Sequence, residues 1–321
     1  MKIEIAEQDG LLAFTPGAET HFLRQNPIEY HSQFHQICRQ IYKTIKPSGE
    51  KSGEQSTLLA ERGFVVEPQL FSADNAQALT EAYSREIIDQ NKTANTKIEP
   101  SDALKNQILD LVAAALTRNI SSQLESYYGC FFRIDHLELM RSKPAPGQSI
   151  SYLWHRDYDP MGKIHILIYL TDCGPRSPAT LFTNLDDTRR CAELGYSFPP
   201  RTERIADLST LIPDNGERIS ITRPELSAGD ATVFGPSRIL HRGDILDQEQ
   251  RDLLVLNILP SLNPWDREIA ALGKERLFVG RNNLWFDPFS REKPGVSGHD
   301  NMAMPQWARQ AYPFPLAKPD S

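Results

Sequence analysis

With 321 residues, 40% hydrophobic and 24% charged, the chain has room for one large domain or two modest ones and is too apolar for disorder to be its default. A net charge of −7, with no Lys/Arg block interleaved with aromatics, argues against a nucleic-acid partner, and no apolar run approaches the roughly 18 residues needed to cross a membrane. The four cysteines (Cys38, Cys130, Cys173, Cys191) are scattered without a CxxC pair, and the opening MKIEIAEQDG lacks the apolar stretch of a signal peptide, so the chain reads as a soluble cytoplasmic protein.

In chain order, PIEYHSQFHQICRQIYKTI predicts a helix, and the polar KPSGEKSGEQS after it predicts an exposed linker. Gly63 and Pro68 bracket a short apolar run, and Ser72 stands where an N-cap belongs, before a helix with Ala76, Leu79, Tyr83 and Ile87 on one face. A second helix starts near Ser101, its stripe made of Leu104, Ile108, Leu111 and Ala115. From Tyr127 the period becomes extended. CFFRIDHLELM, SISYLWH, KIHILIYL, ATLF, ATVF, RILHR and DLLVLNILP read as strands, parted by Pro, Gly, Asp and Asn. Such runs suggest an antiparallel barrel or sandwich covered on one face by the leading helices. Residues 183–222 read as an insertion. The segment after 262 holds three of the four tryptophans (Trp265, Trp285, Trp307) without clear periodicity.

The chemistry concentrates in WHRDYD, residues 154–159. On a strand, positions i and i+2 share a face about 7 Å apart, so His155 and Asp157 can converge on one metal if a third ligand arrives. By itself an HxD pair recurs by chance. The stretch GDATVFGPSRILHRG offers His241, and a connection centred near Leu246 is expected to place Arg251 almost opposite His241 across an antiparallel pair. Two imidazoles and one carboxylate on one face of Fe(II) leave three positions open. A planar, permanently charged guanidinium suits the far carboxylate of a bidentate 2-oxo acid.

In GFVVEPQLFS followed by a helix, WHRDYD…KIHILIYLTD and GDATVFGPSRILHRG…R, residues 61–260 resemble the phytanoyl-CoA dioxygenase-like branch of the Fe(II)/2-oxoglutarate-dependent dioxygenases. The resemblance implies a mainly β, α+β chain with flanking helices around a double-stranded β-helix (jelly-roll) core. It implies Fe(II) held by His155, Asp157 and His241, and 2-oxoglutarate bound by Arg251, with Tyr169 and Thr180 as further co-substrate contacts. Residues 1–60 would be a helical extension and linker, 61–262 the catalytic domain, and 263–321 an extension on the barrel. The implied activity is hydroxylation of a small organic molecule, with O2 consumed and succinate and CO2 released. Asp157, where a halogenase would need a vacated position, argues against halogenation. Two departures stand out: SPATLFTNLDD replaces a PGSH-like stretch, and Gly243 replaces a serine beyond the distal histidine.

Other readings remain beside this one. The same iron centre supports desaturation, epoxidation or ring formation, and a jelly roll without catalysis would be a binding or sensing protein. A zinc hydrolase shares the ligand types, but no general base accompanies them. His165 reads as a satisfied barrel histidine or a support for the ligands rather than a fourth ligand. Tyr169 is as readily a packed core residue as a ligand contact. His31, His35 and Cys38 on one helical face read as structural; in a cytoplasmic chain the RGD at 242–244 is not an adhesion motif and the sequons at Asn91 and Asn119 are idle. The tail reads as packed on the barrel, with a substrate lid or a homodimer surface as the alternatives.

Overall fold

The structure, a computed structural model, describes residues 5–8, 11–14, 27–46, 54–89, 96–117, 119–144, 150–157, 159, 162–175, 177–212, 218–244 and 250–278. Tyr158, the connection near Leu246, the sequon at Asn91, Trp285 and Trp307 lie outside them.

A hairpin of β1 (Ile5–Gln8) and β2 (Leu11–Phe14) precedes helix α1 (Pro27–Ile45). The expected linker ends early, because α2 (Glu54–Arg62) begins inside it. EQSTLLAER is made mostly of helix formers, and Leu59 gives the helix an anchor in the core. Gly63 ends α2 at φ +85°, where a Cβ would stand 2.2 Å from Ile239 Cγ2. The chain then enters β3 (Phe64–Glu67). Helix α3 (Ala73–Asp89), strand β4 (Thr96–Lys97), and helices α4 (Asp102–Leu116) and α5 (Asn119–Tyr128) follow. Ser72 Oγ accepts Asn75 N–H at 3.2 Å, and Ser101 Oγ accepts Leu104 N–H at 3.3 Å. The buried stripe of α4 includes Val112, i+4 from Ile108, while Leu111 is only partly buried beside it.

The strands are β5 (Phe131–Ser142), β6 (Ile164–Tyr169), β7 (Leu181–Thr183), β8 (Ile221–Thr222), β9 (Ala231–Phe234), β10 (His241–Arg242) and β11 (Arg251–Ser261). Helices α6 (Leu185–Glu193) and α7 (Trp265–Leu272) complete the described elements. One antiparallel sheet runs β3-β9-β6-β11-β5-β4 and a second runs β10-β7-β8. Neighbours such as β6 and β11, or β7 and β10, are distant in sequence, as a double-stranded β-helix requires.

The large sheet is buried on both faces, which is why its strands read as continuous apolar runs. One face presents Ile166, Ile168, Leu254 and Leu256 to the helices, meeting Leu79, Tyr83 and Ile108. The other presents Leu167, Tyr169, Phe234, Leu253 and Val255 toward Phe182 of the small sheet. Around β5 the alternation slips: the register with β11 shifts between Asn257 and Ile258, leaving Asp135 as an extra residue. The arrangement is a jelly roll with flanking helices.

Three expectations need correction. SISYLWH is not a strand: Ile150–Tyr152 form a 3-10 turn, the main-chain N–H of the fully buried Trp154 donates to Ile205 O at 2.8 Å, and His155 alone joins a ladder. RILHR is extended only at His241–Arg242, because the Gly235-Pro236 turn runs on through Arg238 and Ile239, whose N–H groups both donate to Gly235 O. Residues 183–222 hold more than an insertion loop. They supply α6, two 3-10 turns and β8, and they bury Cys191, Tyr196 and Leu208 against Trp154 and Leu240. No helix among the described residues is long and apolar enough to cross a membrane.

Candidate metal centre

His155 and His241 meet on one rung. His155 N–H donates to His241 O at 3.0 Å, and His241 N–H returns the bond to His155 O at 2.9 Å. Their rings lie 4.5 Å apart between centroids. Each ring is also aimed by its own main chain: Nδ1 of His155 lies 2.7 Å from Leu153 O, and Nδ1 of His241 lies 3.2 Å from Ile239 O. A carbonyl can only accept, so Nδ1 carries the proton in both rings and Nε2 keeps its lone pair. Both Nε2 atoms face Asp157, at 3.5 Å from Oδ1 for His155 and 3.8 Å from Oδ2 for His241.

The donor atoms of His155, Asp157 and His241 lie within 4.8 Å of one another. Burial first, then the neighbouring His241, pulls the His155 pKa down to about 3, and burial likewise lowers His241. Burial pushes the Asp157 pKa up, but the basic groups around it, His241 first, outweigh that as they take up protons in acid, so at neutral pH, where the rings are uncharged, the carboxyl is ionised. Two neutral nitrogen donors and one carboxylate therefore point at a single spot. That donor set fits a divalent cation with open coordination positions.

Asp157, Asp159 and His165 form a second group of the same compactness. Its charge is already offset, because Lys163 Nζ lies 2.7 Å from Asp159 Oδ2. Burial drives the His165 pKa well down, so that ring is neutral too.

The histidines line a cavity of about 300 Å3 shared with Tyr152, Thr180, Ser142 and Arg251. Arg251 is 3% exposed. Its Nη1 donates to Pro178 O, its Nε has no hydrogen-bond partner, and among the described residues no carboxylate is in ion-pair contact with it. A buried cation without a counter-charge is costly, so this corner of the cavity is electrostatically suited to an anion. The expected pairing of Arg251 opposite His241 does not occur. Arg251 pairs with Ser142 in the large sheet, whereas His241 pairs with Phe182 in the small one, so the two face one cavity from opposing sheets. The 251 side of the connection joins the larger sheet because β11 extends over Arg251–Ser261 and is matched along that length by β5.

Thr180 lines the cavity. The fully buried Tyr169 accepts Thr180 N–H on its hydroxyl oxygen at 3.1 Å, so the two act together. Sequence reasoning missed Tyr152, whose ring lies against Gly243: a Cβ on that glycine would stand 2.9 Å from Tyr152 Cδ1. The tyrosine ring fills the room a serine would need. Ser142 was also missed, although its i, i+2 relation to Met140 at the end of HLELMRS was a usable signal.

Comparison with family models and with curated proteins finds no match. Among solved structures the chain is similar to the non-heme α-ketoglutarate-dependent carbocyclase SnoK from nogalamycin biosynthesis, at 16% identity over 66% of this chain and 85% of that one, with a TM-score of 0.47. It is similar to HygX from Streptomyces hygroscopicus with nickel and 2-oxoglutarate bound, at 15% identity over 67% and 89%, with a TM-score of 0.43. EctD from S. alaskensis with bound Fe is similar at 15% identity over 68% and 82%, with a TM-score of 0.47.

Proposed function

We propose that the protein is a non-haem Fe(II)- and 2-oxoglutarate-dependent oxygenase that hydroxylates a small organic substrate. One observation carries this reading: His155 and His241, whose donor atoms converge with that of Asp157, line the same small cavity as Arg251, a guanidinium without a counter-charge among the described residues. A metal site alone fits many chemistries. A metal site facing a buried anion receptor fits a co-substrate that chelates with one end and is gripped at the other.

When bound, iron and 2-oxoglutarate supply the oxidising power, one atom of O2 ending in succinate, with CO2 released, and the other in the substrate's new hydroxyl group. His155 and His241 are the neutral ligands, each held in one tautomer by a backbone carbonyl. Asp157 supplies the single negative charge that balances part of the cation. Arg251 anchors the distal carboxylate, and Thr180, with Tyr169 bonded to its main chain, shapes the wall beside it. Leu167, Phe234 and Leu253 keep the cavity apolar between those polar ends and limit access by bulk water.

The test is an anaerobic optical titration of the purified chain with Fe(II) and then 2-oxoglutarate. A weak visible charge-transfer band that disappears in Asp157→Ala is the expected result. Iron bound without any band on adding the 2-oxo acid overturns the reading.

A further inference from the structure

Resting on that reading, we propose that His165 is the substrate-positioning residue: its Nε2 binds an uncharged oxygen function, a hydroxyl or carbonyl, close to the carbon that reacts. The substrate is accordingly a neutral, oxygen-bearing molecule rather than an anionic thioester or phosphate.

The geometry comes from the sheet. His165 stands in β6 between Phe234 of β9 and Asn257 of β11 on one rung. On β11 the alternation puts Asn257 on the same face as Val255, Leu253 and Arg251. Six residues separate Arg251 from Asn257, about 20 Å of strand, so the two polar positions mark opposite ends of the inner face. Arg251 takes the co-substrate at one end. His165 lines the cavity at the metal side, its donor atom close to Asp157.

The ring is fixed rather than free. Phe234 packs edge-on against it at 5.4 Å and against His241 at 5.0 Å, bridging the metal ligand and His165. Asn257 stands directly across the β6–β11 rung from His165. Nε2 is buried and has no hydrogen-bond partner, on a ring that lines the cavity. Asp159 Oδ2, 3.8 Å from Nε2, favours a proton on that nitrogen, which makes it a donor to a substrate oxygen. The charge balance selects the substrate class. Among the described cations that line the cavity or flank His165, Lys163 is committed to Asp159 at 2.7 Å, Arg141 to Asp252 and, on the proposed reading, Arg251 to the co-substrate, so none of the three is spare for an anionic group. The Asp159 carboxylate next to the pocket disfavours one.

The full-length chain, loaded with Fe(II) and 2-oxoglutarate under argon, is titrated with myo-inositol, glycerol and methyl glucoside as neutral probes, and with acetyl phosphate and acetyl-CoA as anionic ones. The readout is a saturable change in the visible band. At least one neutral probe is expected to perturb the wild-type band, with its dissociation constant raised at least tenfold in His165→Phe and Asn257→Leu. His165→Gln, which keeps a donor, should recover most of that loss. The co-substrate's own dissociation constant should change less than twofold in all three.

Saturation by the anionic probes alone, by none of the probes, or equally well in His165→Phe overturns the proposal. So does binding of two metal equivalents per chain with the second lost in His165→Phe, which would make His165 a ligand of a second cation. Failure of the band to form in wild-type protein overturns the underlying oxygenase reading instead, and is scored before any probe is added.

Discussion

Arg251 and Asp252 are consecutive residues of β11 with opposite electrostatic surroundings. Asp252 points to the helical side, where Arg141 grips it with Nε at 2.7 Å from Oδ1 and Nη2 on Oδ2. Arg251 points into the cavity, buried and without a counter-charge among the described residues. One pair holds the strand; the other side chain is left without a counter-charge among the described residues.

Replacing Arg251 by Met should therefore separate stability from binding. The metal-free protein is expected to keep its melting temperature or gain slightly, since a buried unpaired charge is removed. The 2-oxoglutarate dissociation constant should rise at least ~100-fold, about 3 kcal/mol. Fe(II) affinity should move little. Calorimetric titration of each ligand checks this, and a parallel loss of both would assign Arg251 to folding.

Asp252→Ala should behave in the reverse manner. It strands Arg141 beside Tyr83 and breaks a buried bidentate pair, at a cost of about 3–5 kcal/mol. Urea unfolding measures it. Arg141→Met with Asp252→Leu should restore much of the loss, and a double variant as unstable as Asp252→Ala alone would mean packing, not charge, sets the effect.

The metal-free protein should lose stability as pH falls below about 6.5, the range where an unfolded histidine gains its proton. Burial depresses His155 to about 3 and lowers His165 and His241, so the folded state binds fewer protons than the unfolded one. Stability from these groups is complete above about 6.5 and drains away as pH drops toward the folded values. Melting curves between pH 7.5 and 5 check the slope, which should flatten in His155→Gln. A flat wild-type profile would show that the imidazoles are not buried neutral.

Metal should stabilise the chain by linkage. Free metal at 100 times its dissociation constant adds about 2.7 kcal/mol. Asp157→Ala is expected to abolish that gain in melting temperature while leaving the metal-free protein folded by circular dichroism.

Gly243→Val should destabilise by about 1–3 kcal/mol through overpacking, because its Cβ would press on the Tyr152 ring. Adding Tyr152→Ala should relieve most of the cost. If it does not, the strain lies in the main chain, where Gly243 N–H donates to Ser151 O at 2.8 Å.

Much of this was legible in the residues. The helical stripe of Ala76, Leu79, Tyr83 and Ile87 and the continuous apolar runs of β6 and β11 announced what they would bury, because one period accounts for each. The bulge was also written in the sequence: Phe132 and Ile134 keep one phase and Leu137 and Leu139 the other, with Asp135 between them. The approach to His155 was harder to read, since SISYLWH has strand composition yet Tyr152 and Trp154 are buried by a turn and by the 183–222 segment. The sheet assignment of Arg251 was misjudged because ten residues suggest a hairpin, whereas pairing partners far away in sequence decided it.

The rung between His155 and His241 has a consequence for assembly. Neither residue belongs to the large sheet, and His241 is held on its other side by Phe182 of β7. The helices, β5, β6 and β11 can be in place while the donor set is still scattered, since it exists only once two chain segments far apart in sequence, at 155–157 and at 241, have docked. Such non-local pairings form slowly. On the proposed reading, metal capture during refolding would therefore time the closing of the small sheet, and a chain caught just short of that step would be nearly native in secondary structure and blind to the ion.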